Sequence, residues 1–291
     1  MGNSTKWKWN TFDVCNIGFM VLLSLVMVYP FIYMTSVSLS GTTEVLQGNV
    51  FLWPKGFNLK SYELVFNDPR VMIGYVNTIL YTLTGTFVSL TLTAMAAYAL
   101  SKRWMMWNKT ITFLVVFTMF FSGGMIPTFL VVKAVGIMNT FWAMILPSAF
   151  NVWYLVMMRA FFANIPGELE EAGKMDGMSD LGVFFRIALP LSKSSLATIG
   201  LFYGVGIWNN YLTPLLYLRN PELLPLQVIL RDIVMSGLNL DRADAFTNDN
   251  FVVGEALKYA TIMVGTIPIL CVYPFLQKYF VKGALIGSLK G

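Results

Sequence analysis

Long stretches without any charged side chain recur along this sequence and constrain its fold more than any other feature. Val14–Tyr33 and Val71–Ser101 contain no Asp, Glu, Lys or Arg. A helix needs about 20 apolar residues to cross the hydrocarbon core of a bilayer, and in lipid only helices and closed barrels satisfy their backbone polar groups. The sequence lacks the alternating segments of about ten residues that barrels require. We therefore predict an all-α membrane protein.

Six such runs predict six membrane-spanning helices. We place them at Val14–Tyr33, Val76–Leu100, Asn108–Ile126, within Ala134–Met158, within Ser194–Leu218 and at Tyr259–Gln277. The first run is longer than the core of a signal peptide and no A-x-A site follows it, so we expect it to be retained. Only 12% of the residues are charged, against about 25% in soluble domains, and one membrane domain over residues 1–291 accounts for this deficit.

Lysine and arginine are more frequent in the segments that share a side with the N-terminus, such as Lys6, Lys102 and Arg103. By the positive-inside rule, both termini are expected in the cytoplasm. The net charge of +5 is then explained by basic residues at the membrane edges, and we expect no nucleic-acid partner.

Several classes of chemistry are unsupported by the sequence. It has no histidine, which removes the usual general base and the commonest metal ligand. Cys15 and Cys271 form no metal-binding motif, and no G-x-x-x-x-G-K-[ST] loop for nucleotide phosphates is present. We predict a chain without catalytic residues that binds no metal or cofactor itself.

The polar stretch Phe161–Pro190 separates the fourth and fifth runs. Pro166 suits the first position of a helix, and the acids that follow it favour a helix amino terminus. Gly177 can adopt the left-handed conformation that ends a helix. Ser179 can cap a second short helix, which Pro190 should stop. We predict a helix–turn–helix element here, called the 161–190 loop below.

The spacing within this loop resembles the EAA motif of bacterial ABC importer permeases. Glu171-Ala172-Gly173 is followed after three residues by Gly177, and after nine more by Ile187-Ala188-Leu189-Pro190. All the family spacings match, although Gly173 replaces the second alanine. The resemblance implies the six-helix bundle of the type I (MetI-like) importers.

Further segments are similar to the carbohydrate branch of this family, in particular the inner subunit of maltose transporters. They are Asn164–Glu171 and Trp208-Asn209-Asn210-Tyr211 with Pro214. Gly123–Pro127 resembles the oligosaccharide subgroup that includes aldouronate transporters. The resemblance implies sugar import across a bacterial cell membrane, with the 161–190 loop on the cytoplasmic side.

The resemblance also implies partners: a second homologous permease, two ATPase subunits that hold ATP and Mg²⁺, and an extracellular solute-binding protein. The 161–190 loop would couple to the ATPase through Glu171, Ala172, Gly173, Gly177, Leu181, Phe184, Phe185, Ile187, Leu189 and Pro190. Glu171 would anchor a basic group of the ATPase, although a solvated acid is the alternative. The apolar trio Leu181, Phe184 and Phe185 would contact the ATPase or pack on this chain's own helices.

Polar and aromatic side chains inside the predicted spans are candidates for a substrate pathway, because sugars suit amide hydrogen bonds and aromatic stacking. They are Asn151, Trp153, Trp208, Asn209 and Asn210. The same residues could instead join helices or lie at the membrane interface.

Residues 214–257 are expected to form an outer loop, which the resemblance places against the binding protein. Within it Leu226, Ile229, Leu230 and Ile233 repeat at helical spacing and predict a short helix on the membrane surface. Alternatives that stay open are a permease for a non-sugar solute, an ion-coupled secondary transporter, and a structural membrane subunit without a pathway. An ion-coupled transporter would need charged groups at mid-membrane, and the predicted spans contain none except Lys109 at an edge.

Overall fold

Helices supply all the regular secondary structure that the computed structural model contains in residues 10–243 and 255–274, the residues it describes. The all-α prediction is confirmed for these residues. The α-helices, numbered in chain order, are α1 (Thr11–Ser38), α2 (Thr42–Leu46), α3 (Lys60–Asn67), α4 (Pro69–Ser101), α5 (Asn108–Phe120), α6 (Met125–Ala134), α7 (Trp142–Ile145), α8 (Val152–Ala163), α9 (Gly167–Met175), α10 (Asp180–Val183), α11 (Leu189–Leu191), α12 (Lys193–Trp208), α13 (Leu212–Tyr217), α14 (Leu226–Ala243) and α15 (Glu255–Pro274).

Three of these helices, α1, α4 and α15, are long and apolar enough to cross a membrane. Two bent pairs, α5 with α6 and α7 with α8, raise the number to as many as five. The fifth predicted span contains α12, whose 16 residues rise about 24 Å before the chain breaks at Asn209. The predicted sixth span continues to Gln277, and its residues 275–277 lie outside the described part of the chain.

The described residues fall into two compact units. One comprises Met1–Asp68 and Asp232–Val264, and the other Pro69–Arg231 and Gly265–Gly291, in each case where the structure describes them. In the first unit α1 packs on the start of α15, where Tyr33 and Tyr259 meet edge to face with their ring centroids 5.9 Å apart. Most side chains of α1 are otherwise exposed, as expected of a helix that faces lipid.

The second unit is built around α4, which packs against α8 and α12. Small residues recur every fourth position along one buried face of α4, namely Gly85, Ser89, Thr93 and Ala97. Small side chains let helix backbones approach closely in a membrane. The Thr93 hydroxyl also lies 2.7 Å from the Tyr203 hydroxyl of α12, which gives this packed face a polar contact.

The third and fourth predicted spans differ from the structure. A single helix over Asn108–Ile126 is wrong, because α5 ends at Phe120 and the chain turns by 114° into α6. Gly124 makes this break with φ of +82° and ψ of −179°, a conformation that is essentially restricted to glycine. The fourth span was expected to end by Met158, whereas α8 continues to Ala163. It accommodates Arg159 because the side-chain Nε donates to the Leu100 carbonyl at 2.9 Å.

The helix predicted around Leu226 is present as α14, and its apolar face packs on α4 of the same chain. Leu226 and Ile229 are buried, and they face Gly74 of α4. A Cβ atom at Gly74 would lie 3.1 Å from the Leu226 backbone nitrogen and 2.6 Å from Ile229 Cδ1. Close backbone packing against α4 therefore takes up the apolar face. Residues 244–254 of the predicted 214–257 loop lie outside the described residues.

Candidate functional site

The first half of the 161–190 loop forms as predicted. Pro166 occupies the N-cap of α9, one position earlier than expected, and Glu168 and Glu170 lie in the first turn. Carboxylates at this end interact favourably with the helix dipole. The acidic character of the sequence here is thus explained by local helix stability as well as by any role in binding.

Gly177 ends α9 as predicted, with φ of +81°. The amide of Gly177 donates to the Lys174 carbonyl and that of Met178 to the Gly173 carbonyl, both at 3.0 Å. This pair of bonds is the Schellman motif that closes many helices. Ser179 then caps α10, since its hydroxyl accepts from the Gly182 amide at 3.2 Å. The predicted turn and cap are both confirmed.

Pro190 does not stop the second helix, so that prediction is wrong. The chain continues from α10 through a π-helix at Phe184–Ala188 into α11, which contains Pro190. A proline cannot donate the helical hydrogen bond to the residue four positions back and crowds that residue's carbonyl. The wider π turn shifts the hydrogen-bond register ahead of the proline, and the helical path is preserved until Ser192.

The predicted coupling residues divide into a buried set and an exposed set. Phe184 is 3% exposed and packs on Tyr98 of α4, with ring centroids 5.1 Å apart. In contrast, Leu181 and Phe185 are 60% and 56% exposed. Of the open alternatives for this trio, Phe184 therefore packs on the chain's own helices, whereas Leu181 and Phe185 remain available to a partner. The buried set also includes Gly173 and the partly buried Ile187 and Leu189, and the exposed set also includes Ala172 and Pro190.

Glu171 is exposed at the surface of α9. Within the part of the chain that the structure describes, it makes no ion pair or hydrogen bond. Its neighbour Glu170 instead pairs with Lys102, and both of these side chains are largely buried. The two adjacent acids thus differ: one is used within the chain and the other is free.

Gly173, the departure from the EAA pattern, lies where α9 touches the π-helix. A Cβ atom at this position would come within 2.7 Å of Ile187 Cδ1 and 3.5 Å of Val183 Cγ2. The missing methyl group is replaced by the Ile187 side chain, which joins the two ends of the EAA motif directly. Sequence spacing predicted the two ends but not their contact.

The carboxyl end of α4 contacts the 161–190 loop, and this contact was not predicted from the sequence. Lys102 at this end pairs with Glu170 of the loop. Two other side chains donate to the Leu100 carbonyl, Arg159 through Nε and Asn108 through Nδ2, both at 2.9 Å. Cationic and amide donors at this end satisfy unpaired carbonyls and suit the negative helix terminus. Basic residues directly after the second run were a visible signal, but we assigned them only to membrane orientation.

An apolar cavity of about 270 Å³ lies between the carboxyl end of α4 and α10. Its lining includes Met95, Trp104, Met105, Leu181 and Phe184. The exposed side chain of Leu181 therefore stands at the rim of a depression rather than on a flat surface.

Amide groups proposed for the substrate pathway serve mainly as helix caps. The Asn151 Oδ1 accepts from the Trp153 and Tyr154 amides that begin α8, and its backbone amide donates to the Tyr203 hydroxyl at 3.1 Å. Asn210 bonds twice to Thr213 at the start of α13. These contacts favour a structural use of both amides.

The remaining pathway candidates are Asn209, Trp153 and Trp208. Asn209 is exposed, and within the described ranges its side chain bonds only to the Val205 carbonyl, at 3.0 Å. Trp153 is 57% exposed, and the half-buried Trp208 donates through Nε1 to the Gly265 carbonyl at 3.4 Å. Residues 209–211 form a break between α12 and α13, and broken helices in membranes occur where the chain is buried or lines a cavity.

Comparison with known proteins places this architecture in a family. The family described as "Binding-protein-dependent transport system inner membrane component" matches residues 10–286. The chain belongs to this family. Its members are the non-catalytic membrane permeases of ABC transporters, and the resemblance drawn from the EAA spacing is confirmed.

Individual relatives span nearly the full chain. The polygalacturonan/rhamnogalacturonan transport system permease protein YtcP of Bacillus subtilis (strain 168) is 45% identical over 282 residues, covering 96% of this chain and 98% of YtcP. Protein LplC of the same strain is 46% identical over 282 residues, covering 96% and 95%. A chain in the crystal structure of a bacterial ABC transporter involved in the import of the acidic polysaccharide alginate has a TM-score of 0.83 and 33% identity, covering 94% of this chain and 99% of that one.

Proposed function

We propose that this chain is one of two homologous permeases in an ATP-driven importer, with two ATPase subunits on its cytoplasmic side and a solute-binding protein outside. Both termini and the 161–190 loop lie in the cytoplasm in this arrangement. Family membership and the lysine and arginine bias support it. ATP and Mg²⁺ bind to the ATPase subunits, and this chain supplies the pathway and the coupling contact.

The observation that carries the coupling role is the exposed face of the 161–190 loop. Glu171 is free among the described residues, Met175 is 89% exposed, and Leu181 and Phe185 are more than half exposed. Large apolar side chains beside a free carboxylate form an apolar centre with a charged rim, as in protein interfaces. This face is the docking surface for the ATPase.

Phe184 and Gly173 serve docking indirectly. Phe184 fixes the second helix to α4, and Gly173 lets α9 approach the π-helix. Together they hold the exposed residues in one arrangement, so that movement of the ATPase is transmitted to α4 and α8. Gly177 sets the angle between the two helices through its left-handed turn.

The transported solute is a sugar, and we favour an oligosaccharide that carries carboxylates. The names of two relatives support this choice, since YtcP is named for polygalacturonan and rhamnogalacturonan and the solved structure for alginate, an acidic polysaccharide. Asn151, Trp153 and Asn209 are the exposed pathway candidates. Because the Asn151 side chain already caps α8, we favour Trp153 and Asn209. They offer a stacking surface and an amide, respectively.

The test is uptake by proteoliposomes that contain this chain, its paired permease and the ATPase. With binding protein and a labelled oligogalacturonide outside, uptake should require ATP at the ATPase face. Uptake driven by an ion gradient without ATP would contradict the proposal. ATP-dependent uptake of neutral oligosaccharides only would keep the importer and overturn the acidic substrate.

A further inference from the structure

Asn77 and Tyr81 of α4 bind a segment that follows α13, residues 218–226, called the 218–226 segment below. Asn77 Nδ2 donates to the carbonyls of Glu222 and Leu224, at 2.7 and 3.1 Å. The Tyr81 hydroxyl donates to the Leu223 carbonyl at 2.9 Å. Three successive residues of the segment, 222–224, are thereby tied to one helix through their backbone carbonyls rather than their side chains.

The next contacts of the same face complete this attachment. Thr78 Oγ1 accepts from the Leu226 amide at 2.8 Å, and Gly74 lies against the Leu226 backbone. Gly74, Asn77, Thr78 and Tyr81 are spaced i, i+3, i+4 and i+7, which places them on a single face of a helix. The amino-terminal part of α4 therefore has one face devoted to the 218–226 segment.

Asn139 holds the other edge of the segment. Its Oδ1 accepts from the amides of Arg219 and Asn220, both at 2.8 Å. The backbone amide of Asn139 donates to the Tyr217 carbonyl at 2.8 Å. Asn139 has φ of +58°, which asparagine tolerates better than most residues. Arg219 and Glu222 remain exposed, so the segment presents charges on a fixed backbone.

The carboxyl end of the same helix carries the 161–190 loop, through Lys102 with Glu170 and through Tyr98 with Phe184. Asn77 and Leu100 are separated by about 35 Å along the helix axis, and α4 runs between them without a break. The chain is interrupted between α5 and α6, between α7 and α8, and between α12 and α13. In the described part of the second unit, α4 is the unbroken helix that contacts both segments.

We propose that Asn77, Tyr81 and Asn139 are positioning residues for transport. Asn77 and Tyr81 fix the 218–226 segment to α4 and Asn139 holds the segment's backbone in shape, so that binding-protein contact outside displaces α4 and the 161–190 loop as one body. This inference rests on the proposed function, because it assumes an ATPase at one end and a binding protein at the other. The charged side chains of the segment receive the binding protein, and the hydrogen bonds beneath transmit its contact.

The same substitution at two asparagines tests the proposal with opposite expectations. Asn77→Asp replaces a double donor with an oxygen that faces two carbonyls, whereas Asn139→Asp keeps the acceptor that both amides need. Asn139→Gly keeps the left-handed backbone but removes the acceptor. Thr84→Ala is the matched control on α4, because among the described residues the Thr84 hydroxyl bonds only within its own helix.

The readout is the ratio of ATP hydrolysis with sugar-loaded binding protein to hydrolysis without it, in the reconstituted complete transporter. Asn77→Asp and Asn139→Gly should lower this ratio by at least about fivefold, which is the effect of two lost hydrogen bonds at the lower end of their usual contribution, with basal hydrolysis unchanged. Asn139→Asp and Thr84→Ala should retain the wild-type ratio. A merely structural role would lower assembly of all variants in proportion to their thermal stability and leave the ratio unchanged.

Tyr81→Phe keeps the ring against Phe141 and removes one hydroxyl. If Asn77→Asp fails to assemble, this variant still tests whether the bonds between α4 and the 218–226 segment are needed for stimulation. Wild-type ratios in both Tyr81→Phe and Asn139→Gly would overturn the proposal, as would equal damage from Asn139→Asp and Asn139→Gly. Failure of the proposed function is distinguishable, since the wild-type complex would then show no stimulation by binding protein at all.

Discussion

Replacement of Gly177 by valine should reduce the ATP hydrolysis that the binding protein stimulates, while the chain still inserts. A Cβ atom at this position would meet nothing within 4 Å, so the cost is purely conformational. With φ of +81°, an L-residue costs about 1–2 kcal/mol, and a β-branched residue lies at the upper end or beyond. About 2 kcal/mol corresponds to a factor of roughly 30 in the population of the native turn.

Gly167→Val is the matched control, because a Cβ atom there also meets nothing and the backbone is not left-handed. Both variants should reach the membrane in wild-type amounts. In reconstituted vesicles, Gly177→Val should lose most of the binding-protein-stimulated ATP hydrolysis, Gly177→Asn should lose less, and Gly167→Val should retain it. Amide hydrogen exchange at Met178, whose amide bonds to the Gly173 carbonyl, should accelerate in Gly177→Val alone.

Full stimulation in Gly177→Val, or equal losses in Gly167→Val and Gly177→Val, would contradict a role for the left-handed turn. The first result would show that the turn is not needed for coupling. The second would show that bulk on the loop surface, rather than backbone conformation, determines the effect.

Three further predictions concern the same loop. Phe184→Ala removes a buried ring and should destabilise the chain by about 3–5 kcal/mol, measured as a lower Tm in detergent. Phe185→Ala should instead leave Tm unchanged and reduce co-purification of the ATPase. Glu171→Gln should weaken ATPase binding by roughly two- to fivefold at low salt and less at high salt, measured by co-sedimentation, and a salt-independent loss would exclude an ionic contact. Gly173→Ala should leave Tm nearly unchanged, because a gain in helix propensity of about 1 kcal/mol offsets displacement of the flexible end of the Ile187 side chain. Gly173→Val should lower Tm clearly. Equal Tm values for the two variants would argue against close packing at this position.

Local chemistry made the first half of the 161–190 loop predictable. A glycine that needs a left-handed conformation and a serine that caps a helix act through their immediate neighbours, so Gly177 and Ser179 lie where the sequence placed them. The prediction that Pro190 ends the second helix failed for a non-local reason. The rule that a proline ends a helix assumes a regular α-helical register, and the π-helix before it changes that register.

Tertiary contacts decided the features that the sequence left open. The apolar spacing of Leu226 and Ile229 predicted a helix but not its partner, and the partner is Gly74 rather than lipid headgroups. The polar face that contains Asn77 has a visible helical spacing, yet its meaning depends on carbonyls about 145 positions away. Asn151 and Asn210 have the right chemistry for sugars, but nearby amides already use them as caps.

The central claim is that the exposed face of the 161–190 loop docks on an ATPase, and site-directed cross-linking tests it most directly. Single cysteines at Phe185→Cys and at its buried neighbour Phe184→Cys, in a background without Cys15 and Cys271, would be treated with a short bifunctional reagent in the assembled transporter. If this face docks on the ATPase, position 185 should cross-link to it with a yield that changes when ATP is added, and position 184 should give no cross-link. A cross-link from neither position, or equal yields from both, would contradict docking through this face.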